Sequence, residues 1–231
     1  MNDPIVLDDV PFTVDLDRFG KKMRIQDRGA YVDRATRLAR QAEVIARPRA
    51  LYRVAYIESD GADTVVIDGV TLTSRVLRVN LGEAHRAFPF VATCGRELKE
   101  WADAIDDMLE RFWADAIMEL ALQAAIDAFK EHLVANLQPG PTSTMNPGSL
   151  QDWPIEEQRP LFAILGNVRD RVGVELTERF LMVPIKSVSG LCFPTEVRFE
   201  SCQLCPREVC PGRRAPYDPE LYETRYARRS E

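Results

Sequence analysis

Between residues 202 and 214 the chain reads CQLCPREVCPGRR, placing Cys202, Cys205 and Cys210, three of its five cysteines, within nine positions. A C-x2-C step lets two thiolates on one turn point at a single ion, and a third sulfur shortly afterwards extends the set. Such a centre needs a fourth ligand, for which Cys192 is the first candidate and Cys94 the second. By spacing alone the set suits an iron–sulfur cluster and a zinc site equally; unligated reduced thiols at a sheet edge are the remaining reading. Arg207, Arg213 and Arg214 flank the cysteines and would offset thiolate charge, while Cys205-Pro206 and Cys210-Pro211 would turn the chain around a centre.

Other chemistries are poorly provided for. His85 and His132 are the only histidines, and neither sits in a Ser–His–acid or H-E-x-x-H arrangement. The glycine patterns that cradle dinucleotides or nucleoside triphosphates are missing. With 30 Lys and Arg against 36 Asp and Glu the net charge is -6, which gives no general attraction for nucleic acid. The most apolar window, Phe112 to Phe129, is broken by Asp115, Glu119 and Asp127, so no membrane span is expected. The first residues carry acids where a signal peptide has a basic region, so the chain is expected in the cytoplasm, where clustered cysteines serve metals or redox chemistry more often than structural disulfides.

The elements that must position these residues can be read from periodicity. Tyr31 to Arg47 spaces Val32, Ala35, Leu38, Ala39, Ala42 and Ile45 as one helical face. LYRVAYIES and TVVIDGVTLTS read as strands across an Asp60-Gly61 turn, and FPFVAT at 88–93 as a buried strand. From Arg96 to Leu137 there is neither Gly nor Pro, which predicts one long helix or two in tandem with the break near 111–116, and Trp101, Phe112 and Trp113 in the core. Gln138 to Asp152 reads as a long loop, Pro154 as a helix start running to about Arg171, and SVSGLCFP with TEVRFES as a hairpin. The last fifteen residues, with Arg225, Arg228 and Arg229, read as a polar tail. Helices segregated from mostly antiparallel strands indicate an α+β fold.

From Pro147 to Pro194 the order of motifs resembles the AdoMet-binding activation domain of cobalamin-dependent methionine synthase, in particular its short stand-alone relatives. The resemblance rests on the Pro147-Gly148 turn, the W-P-x-E-x-Q start at Trp153 to Gln158, the segment Gly173 to Glu178, the Met182-x-Pro184 step and Ser187-Val188-Ser189-Gly190. It implies a C-shaped α+β domain with a central, mostly antiparallel sheet over residues 1–201; the cysteine-rich segment at 202–231 follows as a separate segment that family members with a complete AdoMet loop generally lack. It also implies a cobalamin-carrying partner, either a corrinoid-binding protein or a cobalamin-dependent methyltransferase, and the reductive-methylation step that returns an oxidised corrinoid to service. No catalytic residue is singled out.

The cofactor-binding positions that the resemblance carries over are Asp127, Thr144, Pro147, Gly148, Ser149, Ser187, Ser189 and Gly190. Two depart from the family pattern: Thr144 stands where the family has an arginine, a natural bidentate partner for the AdoMet carboxylate, and Ser149 stands where it has a tyrosine. Asp127 resembles the helix acid that faces the AdoMet amino group. Together with the cysteines, these departures lead to the expectation of an accessory protein that reduces a corrinoid partner with an electron from an iron–sulfur cluster on Cys192, Cys202, Cys205 and Cys210. The alternatives are an AdoMet-binding reactivation domain and a non-catalytic, zinc-stabilised module that binds a corrinoid protein.

Overall fold

The computed structural model describes residues 3–25 and 29–227. In chain order the elements are β1 (Ile5–Leu7), α1 (Leu16–Met23), α2 (Gly29–Ile45), β2 (Arg49–Tyr52), β3 (Ala55–Asp60), β4 (Thr64–Ile67), β5 (Val70–Thr73), α3 (Arg75–Leu81), β6 (Arg86–Thr93), α4 (Arg96–Asp103), α5 (Met108–Leu137), β7 (Thr142–Met145), α6 (Gln158–Leu165), α7 (Val168–Val172), β8 (Glu175–Leu176), β9 (Met182–Val183) and β10 (Ser187–Pro194). Short 3-10 turns lie at Ile155–Glu157 and Ser201–Leu204, and a π-helical turn at Tyr222–Tyr226.

β6 is the spine of the main sheet. β2 and β3 pair with successive parts of one edge of it, and β10 takes the other edge, all antiparallel. β10 then pairs with β7 on its far side, and β4 and β5 continue from β3. The β4–β5 link is Asp68-Gly69, both at positive φ (46° and 77°), the pair of conformations that a two-residue hairpin turn with the right twist demands.

Alternation along these strands sends side chains to two different cores. Phe88, Phe90 and Ala92 of β6, Ala50 and Tyr52 of β2 and Cys192 of β10 pack under α5 against Ala125, Phe129 and Leu133. Val91, Leu51, Leu191 and Phe193 face the opposite way, onto Trp153, α6 and α7. A third cluster is helical, joining α1, α2, α4 and the first half of α5 around Trp113 and Ile117. The fold is therefore α+β, with long helices on an antiparallel sheet.

Several expected boundaries move. The break in the 96–137 helix falls at 104–107, because Asp107 caps the new helix by accepting from the Leu109 and Glu110 amides at 2.9 Å. Trp113 is buried as expected, yet Phe112 is 61 % exposed, one position round the helix and off the core face. The helix expected from Pro154 to Arg171 is divided at Gly166, whose φ of +80° takes the chain out of the helix. The 138–152 loop contains a strand, β7. TEVRFES forms no strand, because both edges of β10 are already taken by β6 and β7. Nor is the tail free: Tyr226 is fully buried, its hydroxyl donates to Asn80 Oδ1 at 2.9 Å, and Arg75 Nε donates to its carbonyl at 3.1 Å. Arg228 and Arg229 lie outside the described residues.

Candidate functional site

The expected ligand loop leaves β7 and is closed by its own backbone. Ser149 N donates to Asn146 O at 3.1 Å, Gly148 N to Trp153 O at 2.7 Å, and Trp153 N to Leu150 O at 3.1 Å. Asp152 ties the far end to α3 by accepting from Ser74 Oγ and from Val76 N at 3.0 Å. Gly148 has φ +83°, and a Cβ there would come within 2.7 Å of Ile155 Cδ1. The small residue at the Pro147-Gly148 turn thus makes room for the chain itself; Pro147 is buried and Ser149 exposed.

The β10 residues expected to shape a ligand-facing turn are also used internally. Ser189 Oγ donates to Gln158 Oε1 at 3.2 Å, Gln158 Nε2 donates to Phe180 O at 2.9 Å, and Asn146 Nδ2 donates to Ser189 O at 2.8 Å. The Ser187 hydroxyl lies 2.9 Å from Thr93 Oγ1 and 2.7 Å from Pro184 O. A Cβ on Gly190 would sit 2.5 Å from Asn146 Nδ2 and 2.7 Å from Met145 O. These contacts lock the loop onto the sheet.

Thr144 pairs with Cys192 across β7 and β10. Burial pushes the Cys192 thiol up from its ordinary range, against the opposing pull of the Thr144 and Thr142 hydroxyls that hydrogen-bond to it. Asp127 is exposed on α5 and accepts from Gln123 Nε2 at 2.8 Å. Two of the side-chain contacts that the resemblance implies are therefore not set up here: the arginine position offers a hydroxyl turned to a thiol, and the helix acid is engaged with a neighbour on its own helix.

The four-cysteine set does not come together either. Cys192 faces α5, whereas Leu204, at the heart of the C-x2-C turn, packs on the opposite core with Phe199 and Tyr226. Cys94 is fully buried at the start of α4, its thiol pushed up to about 12 by that burial. Among the described residues no group of three or more His, Cys, Asp or Glu side chains is placed to hold a metal ion. Spacing could not reveal this, since whether residue 192 faces one core or the other depends on strand register.

What the C-terminal segment does build is a loop wrapped around Arg213. Its guanidinium donates to Cys202 O at 3.1 Å, to Cys205 O and Ala215 O at 3.3 Å, and to Arg207 O. Cys205 N donates to Cys202 O at 3.3 Å, closing the C-x2-C turn, and Arg214 N donates to Cys202 Sγ at 3.4 Å. That amide, with the Ala215 amide and the Arg214 and Arg213 charges, holds the Cys202 thiol below its ordinary range, while Cys205 and Cys210 are half-buried.

Between this segment and the loop lies a cleft of about 370 Å³, lined by Leu150, Asp152, Leu204, Tyr217, Asp218 and Tyr222 among others. Sequence reasoning missed it by treating the last residues as a tail. The available signal was aromatic: Tyr217, Tyr222 and Tyr226 recur in an otherwise polar stretch, and aromatic side chains carry a large apolar surface that a solvated tail does not need.

No protein-family model matches the sequence, and no curated protein matches it either. A solved structure does: the crystal structure of the MetH reactivation domain bound to AdoHcy superposes with a TM-score of 0.61 at 17 % identity, covering 85 % of this chain and 80 % of that one. Among the described residues no helix is long and apolar enough to cross a membrane. The order of its elements and this superposition agree: the chain has the fold of the methionine synthase reactivation domain.

Proposed function

We propose that this chain is an accessory protein of a cobalamin-dependent methyl-transfer system, a reactivation-type module that docks on a corrinoid-carrying protein without a high-affinity AdoMet site of its own. The observation that carries the docking is the likeness to the MetH reactivation domain over 85 % of the chain. The weak AdoMet site follows from Thr144 and its pairing to Cys192. An electron supplied by a cluster on Cys192, Cys202, Cys205 and Cys210 is not part of this reading, because Cys192 packs in a different core from Leu204 of the C-x2-C turn and the four sulfurs form no metal-holding group among the described residues.

The docking is tested by titrating the full chain against the cobalamin-loaded cobalamin-binding domain of a methionine synthase, followed by interferometry. Saturable binding that free cobalamin does not reproduce is expected; no binding to the loaded domain would remove the reading.

The second arm is calorimetry with AdoMet. A charge-assisted hydrogen bond is worth about 1.5–3 kcal/mol, so restoring a guanidinium should tighten AdoMet binding by roughly 10- to 100-fold at 1.4 kcal/mol per decade. The Thr144→Arg, Ser149→Tyr double variant is therefore expected to give saturable heat where the wild type gives none. Equal, tight binding by both would show that this chain holds AdoMet by another set of residues.

A further inference from the structure

We propose that Cys202 and Cys205 form a redox-active dithiol, Cys202 attacking and Cys205 resolving, that exchanges with small disulfides carrying carboxylates. This is independent of the corrinoid reading. Four observations carry it. The Cys205 N to Cys202 O bond at 3.3 Å closes a one-turn C-x2-C step, and residues i and i+3 of such a turn lie within about 7 Å at Cα, about the span a disulfide bridges. The Cys202 sulfur accepts the Arg214 amide at 3.4 Å, an arrangement that favours the sulfur as an anion. Both cysteines are half-buried, neither sealed off like Cys94 nor packed in the core like Cys192. Arg207 is exposed beside them, while Arg214 is ion-paired, its Nε 3.1 Å from Glu200 Oε2, so Arg207 is the cation offered to an anionic substrate.

The loop is also built to keep its shape while its sulfurs change partners. Arg213 is bonded to the backbone carbonyls of Cys202 and Cys205 and not to their side chains, so the framework stays in place when the sulfurs pair. The turn opens with a reciprocal cap in which Glu200 N donates to Gln203 Oε1 at 2.9 Å and the Glu200 side chain accepts the Gln203 amide. Asp218 N donates to Gln203 O at 2.9 Å and fastens the turn to the cleft wall.

The exchange balances without an outside oxidant. The Cys202 thiolate attacks one sulfur of the substrate disulfide, forming a mixed disulfide and releasing the other half as a thiolate. Cys205, its proton lost to water, then attacks the Cys202 sulfur, forming the Cys202–Cys205 bond and releasing the second half. Two electrons pass from the dithiol to the substrate, and the two released thiolates take up the two protons.

The test uses the full chain, reduced and desalted under argon, with its folding checked by circular dichroism for every variant. Under limiting iodoacetamide at neutral pH, peptide mapping should find Cys202 modified several-fold faster than Cys205 or Cys210, with Cys94 and Cys192 modified only after denaturation. With oxidised glutathione the wild type should form the Cys202–Cys205 disulfide, Cys205→Ser should trap glutathione on Cys202, and Cys202→Ser should do neither; Cys210→Ser should behave as the wild type. Cystamine, a cationic disulfide, should react several-fold more slowly. Glutathione captured on Cys210, equal rates with cystamine, or zinc or iron held in stoichiometric amount and lost in Cys202→Ser would each overturn the proposal.

Discussion

Replacing Trp153 by alanine is expected to lower stability by about 3–5 kcal/mol, the range for removing a large aromatic side chain from a closed core. Trp153 is fully buried and packs in the core that takes Leu161, Leu191 and Phe193. Its backbone also holds the loop closed, accepting from Gly148 N at 2.7 Å and donating to Leu150 O at 3.1 Å. A cavity beneath that turn would free the 146–153 segment as well as destabilise the sheet. Its indole Nε1 is buried without a hydrogen-bond partner among the described residues, and a buried donor left unpaired costs about 1–3 kcal/mol. Trp153→Phe removes that cost but also some buried apolar volume, and the two effects oppose each other, so it should destabilise the protein clearly less than Trp153→Ala. Urea unfolding midpoints at constant m decide between these values; a Trp153→Ala midpoint equal to that of the wild type would mean the side chain does not carry this core.

The second large effect is expected at Gly190, where alanine should cost about 1–3 kcal/mol through overpacking. A Cβ would meet Asn146 Nδ2 at 2.5 Å, Met145 O at 2.7 Å and Phe90 Cε1 at 2.9 Å. Asn146 cannot swing away cheaply, because the same amide donates to Ser189 O at 2.8 Å. Met145 O is backbone, so relief requires β7 to part from β10, which exposes the Thr144–Cys192 pair. Beyond the lower unfolding midpoint, Gly190→Ala should therefore make Cys192 alkylate in the native state while Cys94 stays protected. Loss of stability with Cys192 still protected would place the strain elsewhere than at the β7 edge.

The two substitutions mark the boundary of what could be read before the fold was known. α2 was legible from the spacing of Ala35, Leu38, Ala39 and Ala42, all of which are buried, because a helix repeats its face within four residues. The Asp68-Gly69 hairpin lay inside a run already legible as β structure. The ordered motifs from Pro147 to Ser189-Gly190 indicated the family whose reactivation-domain fold the structure shares, and Gly148, Gln158, Ser189 and Gly190 among them pack the loop against the sheet.

Local sequence determined the helices, the β-rich runs and the close C-x2-C pair at Cys202 and Cys205, since each depends on residues within a turn or a few positions of one another. Only the tertiary structure decided that Thr142–Met145 is a strand, that Tyr226 is buried, and that Cys192 faces α5 while Leu204 packs on the other core. The physical reason is register: successive strand residues point to opposite faces, so the core a side chain enters is settled by long-range pairing, and a shift of one residue would have exchanged Cys192 for Phe193.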